Sequence, residues 1–285
     1  MDVLYNYSRR INLTFLNEKT GAQFKIECPV KGRKPNISIS GTLLPVDYMS
    51  DIEIRVVNLY IERGQTFQKV QVEAGYENSM SIAFEGEITN IYDESPGPEK
   101  VTVINCTQCK VKNMLSNVVA LNLEKGFTLN SALSQIAKAA ELDEPEIVFT
   151  ETETSGAAFT FNGTVQEALH QIAPLFPGVI LMFTDRTIKA VKQEISPTEK
   201  IKIIKFLQSP PQVTGTVVII KAPFDPAIKP GDVVTVQNVS YMTRRTISVG
   251  TLMNKYRINS IEFRFSTVQG SNTMTLQGFY PEEKK

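Results

Sequence analysis

The chain has no tryptophan, one histidine and three cysteines in 285 residues, and its 30 Lys plus Arg meet 30 Asp plus Glu for a net charge of zero. Each shortage closes off a class of function. With His170 as the sole imidazole, general-base chemistry falls mostly to carboxylates. Three cysteines are an odd count and too few for a disulfide scaffold, so folding in a reducing cytoplasm is expected. A neutral chain lacks the basic surplus of an autonomous nucleic-acid binder and of a polybasic membrane-surface protein. It also lacks the long-range repulsion that keeps copies apart, which suits a subunit of an assembly. No apolar run approaches the ~18 residues of a membrane helix. The longest, Val179–Phe183 and Val217–Ile220, have strand length. Residues 1–10 show no basic start followed by an apolar core, so no secretory signal is expected.

What the chain does have is alternation. Ile11-Asn12-Leu13-Thr14-Phe15, Ile37-Ser38-Ile39-Ser40 and Ile52-Glu53-Ile54-Arg55-Val56 place apolar residues at every second position, the mark of half-buried strands. Val70 to Ala74 leads into a turn expected at Gly75-Tyr76-Glu77-Asn78. Met80 to Ile91 then alternates with Ile82, Phe84, Gly86 and Ile88 in phase. Gly86 inside that strand marks a bulge, a bend or a close backbone approach. Ser95-Pro96-Gly97-Pro98 breaks the pattern before a strand at Val101, Val103 and Asn105.

The middle changes period. A helix is expected from Ser131 to about Leu142, capped by Thr128 or Asn130 and closed by Asp143-Glu144-Pro145. A second opens at Thr164, with Glu167 three residues on, and ends before Pro174. Short strands at Ile147–Phe149 and Val179–Phe183 follow the helices, and Asp185-Arg186 turns the latter into Thr187–Val191. Alternation resumes near Ser196, with strands expected at Val213–Lys221, Val233–Val236, Tyr256–Phe263 and Met274–Phe279. The length allows about two domains, or three small ones. The pattern predicts a mainly β fold with a smaller α+β domain: a β-barrel over residues 1–112, a helix and strand domain over 113–195, and a second β-barrel region over 196–285.

The residues with chemical potential do not assemble into a site. Cys106-Thr107-Gln108-Cys109 has the spacing of a metal knuckle, but Cys28 and His170 are the remaining ligand candidates and lie in different elements. His170 has no recognisable nucleophile or orienting acid, and is expected at the edge of a helix's buried face. Glu85 with Glu87, and Glu151 with Glu153, could each share a strand face as a hydrolase pair would. The simpler reading makes the first pair strand surface and the second a solvated loop. No Gly-x-Gly-x-x-Gly or Walker pattern is present. No catalytic residue, metal or cofactor is expected.

Several short motifs, in order along most of the chain, resemble bacteriophage baseplate and tail hub proteins. Ala74-Gly75-Tyr76 precedes Phe84-Glu85-Gly86-Glu87-Ile88, similar to that family's turn and "F-x-G-x-I" strand, and Pro96-Gly97-Pro98 follows. Asn58-Leu59-Tyr60, Phe127-Thr128-Leu129 and Gly163 resemble a strand end and the small middle domain. Pro226-Ala227-Ile228-Lys229-Pro230-Gly231-Asp232-Val233-Val234 is similar to the family's "P-x-I-x-P-G-D-x-V" turn. Cys106-Thr107-Gln108-Cys109-Lys110 departs from it, standing where an acidic, Gly-containing segment is usual.

The resemblance implies a structural, non-enzymatic virion protein with two tube-type barrels per chain. As a homotrimer it would adapt a sixfold tail tube to a threefold central spike. Its signature positions would be Gly75, Tyr76, Phe84, Gly86, Pro226, Pro230, Gly231 and Asp232. Partners implied are copies of itself, the tube and spike proteins, and tape-measure and baseplate wedge proteins. DNA would only pass through the lumen, and no membrane anchoring is implied. The protein would be assembled in the host cytoplasm and reside in the tail. The alternatives are a tail-tip module binding carbohydrate or a receptor, for which Tyr5, Tyr7, Tyr241 and Tyr256 are the loose aromatic candidates, and a cell-wall hydrolase.

Overall fold

The structure is a computed structural model that describes residues 9–28, 35–44, 50–59, 67–76, 79–95, 97–107, 115–149, 153–184, 187–192, 195, 199–204, 207–215, 217–236, 255–268 and 272–279. It is mainly β with a small helical part. The first β region contains β1 (Arg9–Leu16), β2 (Gln23–Ile26), β3 (Ile37–Leu43), β4 (Asp51–Val57), β5 (Lys69–Tyr76), β6 (Ser79–Glu94) and β7 (Val101–Thr107). A mixed unit follows: β8 (Val118–Leu123), α1 (Leu129–Ala139), β9 (Asp143–Ile147), β10 (Phe159–Thr164), α2 (Val165–Ile172), β11 (Val179–Thr184) and β12 (Thr187–Lys192). The last region contains β13 (Ile201–Ile204), β14 (Gln212–Thr214), β15 (Val217–Ala222), β16 (Val233–Val236), β17 (Lys255–Ser266) and β18 (Thr273–Phe279).

The first and last β regions form one sheet, ordered β14-β15-β18-β17-β3-β4-β7-β6-β5-β1-β2, with β16 also on β17 and β13 parallel to β16. The seam is the antiparallel pair β17–β3, in register from Ile261 opposite Leu43 to Ser266 opposite Ser38. Thr267 reinforces it, accepting from the Ile37 N–H at 3.0 Å and donating its own N–H to the Ile37 carbonyl at 2.9 Å. One hydrophobic core lies under both regions, with Ile11, Leu13 and Phe15 joined to Phe224, Phe263, Phe265 and Leu276. Each such side chain contributes about 1.5–3 kcal/mol on full burial. The mixed unit packs its own core from Leu129, Leu133 and Ile136 of α1, Val165, Leu169 and Ile172 of α2, and the strands beneath them.

Helix ends follow local chemistry. Thr128 caps α1, its hydroxyl accepting from the Ser131 N–H at 3.2 Å. The helix therefore starts at Leu129, earlier than expected, and stops at Ala139 rather than Leu142, with Glu141 at φ 57 just beyond. Thr164 and Glu167 form the full capping box on α2. The Thr164 backbone N–H holds the exposed Glu167 carboxyl below its ordinary range. Among the described residues, no helix is long and apolar enough to cross a membrane.

Four strand expectations need correction. Asp143-Glu144-Pro145 does not close a helix but begins β9, so that strand lies before Val148-Phe149 rather than on them. Pro145 fits because, among the described residues, β9 pairs only with β12 and lies at the edge of its sheet. Val213 to Lys221 is not one strand: Gly215, at φ 60, divides β14 from β15 as a hairpin. Gly75 and Tyr76 lie in β5 itself, and Glu77 and Asn78 fall outside the described residues. The phase of β6 also breaks. A bulge at Ala83 shifts the register between Val72–Phe84 and Glu73–Ile82, leaving Ile82 exposed at 44% while Phe84 is buried.

Candidate functional site

Residues 223–232 join β15 to β16 and carry a dense polar network. Three prolines, Pro223, Pro226 and Pro230, limit the backbone, and two aspartates supply acceptors for its N–H groups. Asp225 accepts from the Ala227 N–H at 3.0 Å, and Asp232 accepts from the Lys229 N–H at 2.6 Å. Lys202 of β13 reaches in, donating to Asp232 at 2.5 Å and to the Ala227 carbonyl. Gly231 adopts φ 90, which lets its N–H meet the Ile258 carbonyl at 2.7 Å. Its own carbonyl accepts from Arg257 at 3.0 Å, and Arg257 pairs with Glu199 at 2.8 Å, both side chains being almost wholly buried. Phe224 and buried Ile228 root the turn in the body core, with the Phe224 ring tilted against Phe265 at 4.8 Å between centroids.

The turn reaches beyond its own region. Lys229 Nζ donates to the carbonyls of Ile82 at 2.7 Å and Ala83 at 3.0 Å. Those carbonyls sit at the β6 bulge, where the ladder is interrupted and backbone acceptors are free to turn toward a cation. On another side, a Cβ placed on Gly231 would stand 2.5 Å from Met182 Sδ of β11. One short turn therefore touches the first β region, the mixed unit and the last β region.

This brings the two signature stretches, 74–88 and 226–234, into contact. Pro226 is buried, Pro230 half-buried, and Gly231 and Asp232 form the network just described. Phe84 is a buried core side chain beside the bulge. Gly86 is a close approach: its Cβ would lie 2.5 Å from the Thr107 carbonyl and 2.6 Å from the Phe84 ring. Gly75, at φ 145, faces the Ser79 carbonyl, and Tyr76 accepts from Asn272 at 2.6 Å while packing edge-on against Phe265. Sequence reasoning missed Lys202, Glu199, Arg257 and Met182. The signal for Arg257 was a cation between Tyr256 and Ile258 in an apolar run; the others had none.

A second feature is a concave cleft of about 1090 Å³ over the outer face of β17, β3, β4 and β7. Ser38, Ser40, Thr42, Asn105 and Thr107 line it with hydroxyl and amide groups. Its Arg55 is bound by Glu53 at 2.7 Å and Glu94 at 3.0 Å. The hydrogen bond with Glu53 is the leading reason its guanidinium holds its proton above the ordinary range. Glu262 and Arg264 stand two residues apart on the same face of β17. Ile39, Ile52, Phe263 and Phe265 also line the cleft, which is as apolar as it is polar, and its acids Asp51, Glu53 and Glu262 stand against Arg55 and Arg264.

The residues weighed for chemistry scatter. Cys28 and Cys106 are buried, and Cys109 lies outside the described residues. His170 stands on the exposed face of α2, not at the edge of its buried face. Glu153 binds Lys192 at 2.8 Å, and Glu151 is not described. Among the described residues no group of three His, Cys, Asp or Glu side chains could hold a metal ion. Tyr256 is buried against the body core, so it offers nothing to a surface ligand. Tyr5, Tyr7 and Tyr241 lie outside the described residues.

Burial alone pushes the Cys106 thiol from its ordinary 9.0 to about 12. The unfolded chain then loses that proton first as pH rises, so stability present below the ordinary thiol value is lost toward about 12. Urea unfolding repeated in steps through that window is expected to show a falling free energy, and Cys106→Ala a shallower fall.

Comparison with known proteins agrees with this architecture. The family model described as baseplate hub gp41 matches residues 52–266. No curated protein matches significantly. Among solved structures, a tail protein from Neisseria meningitidis MC58 superposes with a TM-score of 0.56 at 10% identity, over 96% of this chain and 97% of that one. The 43 kDa tail protein of prophage MuSo2 from Shewanella oneidensis gives 0.55 at 10% identity, over 97% and 99%. An E. coli component of the type VI secretion system, described as structurally similar to the T4 bacteriophage tail proteins gp27 and gp5, gives 0.51 at 12% identity, over 89% and 76%. At these identities the likeness is one of fold.

Proposed function

The chain belongs to the baseplate hub gp41 family, and from that premise we propose that it is the structural, non-enzymatic hub of a phage tail: a homotrimeric ring between a sixfold tube and a threefold spike. The observation that carries this reading is the continuous sheet. Strands from both β regions join side by side at β17–β3, so each chain presents two segments of one sheet. Three such chains give six segments, the number needed to meet a sixfold tube. Heterologous contacts between copies close into a ring only when the rotation divides a full turn. The eight signature positions are part of this reading, as residues that hold the sheet and its turns in shape.

The concave cleft over that seam is the surface this reading assigns to the lumen. A face meant to hold DNA needs free cations for phosphate. Here the acids Asp51, Glu53 and Glu262 outnumber the cations Arg55 and Arg264, and Arg55 is already held by two carboxylates. DNA would pass without being retained. The remaining partners in this reading are the tube, spike, tape-measure and wedge proteins, in a tail assembled in the host cytoplasm. Mass photometry at micromolar concentration, with and without the spike protein, is the test. The expected result is a trimer, formed alone or on adding the spike. A stable dimer, or a monomer that stays monomeric with the spike present, would sink the hub reading.

A further inference from the structure

We propose that the 223–232 turn is a latch that sets the orientation of the mixed unit, residues 115–192, on the β body, and that this unit is a separate rigid body able to swing when the latch opens. Three observations lead there. The unit has a hydrophobic core of its own, which among the described residues shares no member with the core under the large sheet. Among the described residues, every extensive contact made by its helices and strands is with another element of the same unit. The buried side chain of Met182, from β11 of that unit, ends on Gly231, where no Cβ intervenes.

The turn is built to keep that seat in place. Asp232 and Lys202 fix its backbone, Arg257, itself paired with Glu199, donates to the Gly231 carbonyl, and Lys229 ties it to β6. Met182 belongs to the mixed unit's core but is unbranched and flexible, so its thioether end can enter and leave such a seat while its stem stays packed. A rigid body that turns about a narrow contact is a hinge-type transition, with the change absorbed at a few positions. The inference goes beyond the hub reading and stands or falls independently of it, because it concerns motion within one chain.

The test is a distance distribution between spin labels at Gln166→Cys on α2 and Lys221→Cys on β15, two exposed positions, in full-length protein carrying Cys109→Ser. Cys28 and Cys106 are buried and stay in place. The parent is expected to give one peak. Met182→Ala, which removes the seated group, is expected to spread it, with circular dichroism unchanged. Gly231→Ala is expected to do the same if it folds, since its Cβ would fall on Met182 Sδ. Gly178→Ala is the control: it has the same kind of positive φ, at 73, with open space around its Cβ. It is expected to keep one peak. A single peak in Met182→Ala, a single peak in folded Gly231→Ala, or equal spreading in Gly178→Ala would overturn the latch.

Discussion

Glu199→Ala is expected to destabilise the protein by about 3–5 kcal/mol, the usual result of removing one member of a buried ion pair. Arg257 is 1% exposed and its guanidinium spans two partners, the Glu199 carboxylate at 2.8 Å and the Gly231 carbonyl at 3.0 Å. Truncating the acid leaves a cation in the body core with its main counter-charge gone. The opposite experiment separates charge from packing. Arg257→Met combined with Glu199→Leu removes both charges, and swaps of that kind are often neutral or stabilising. Urea unfolding measures both: the single variant should lower the midpoint strongly with little change in slope, and the double should recover most of it. If the single costs under about 1 kcal/mol, as exposed pairs do, the pair is not the anchor described here.

The faces of strands were legible in the sequence, but their partners were not. Ile11, Leu13 and Phe15 alternate and are all buried, because a period of two maps directly onto the two sides of a pleated strand. Thr164 and Glu167 announce α2 for a similarly local reason, since a capping box needs only four residues. The β17–β3 seam joins Phe263 to Gly41, far apart in the chain, and nothing in either strand's alternation names the other. That is why two β regions read as separate blocks share one sheet and one core. The Ala83 bulge was hidden for a related reason. An extra residue in one strand shows only against its partner's register, and Ile82, Phe84, Gly86 and Ile88 looked in phase without it.

The candidate site was legible where it depends on backbone and illegible where it depends on reach. Pro226, Pro230, Gly231 and Asp232 stand out because proline fixes φ, glycine permits a positive φ and aspartate accepts from nearby N–H groups, all within a few residues. Lys229 lies inside the same motif, yet its role is to hold carbonyls from β6, a contact set by the fold. Glu199 and Lys202 come from the run 199–204 and Met182 from β11, and none has a local signature. The motif therefore marked the turn, while the structure shows that the turn is where the regions of the chain meet.

Gly75→Ala is the other change expected to have a large effect, about 2–6 kcal/mol in all. Two costs add. Gly75 has φ 145, a conformation that side chains rarely adopt, and strain of that kind costs on the order of 1–3 kcal/mol. A Cβ there would also sit 2.2 Å from the Ser79 carbonyl and 3.3 Å from the Met80 Cα, so the first residues of β6 must move. Overpacking of this sort adds about 1–3 kcal/mol. The damage would reach the sheet seam. Tyr76, the next residue, packs edge-on against Phe265 of β17 and accepts from Asn272 at 2.6 Å, so a shifted β5–β6 end loosens its hold on the last β region. Gly21→Ala supplies the comparison, with φ 70 and nothing within 4 Å of its Cβ, and should show the backbone cost without the overlap. Hydrogen exchange should place the Gly75→Ala loss at β5, β6 and the β17 end that carries Phe265. Equal losses in the two variants would mean that positive φ, and not the approach to Ser79, is what Gly75 supplies.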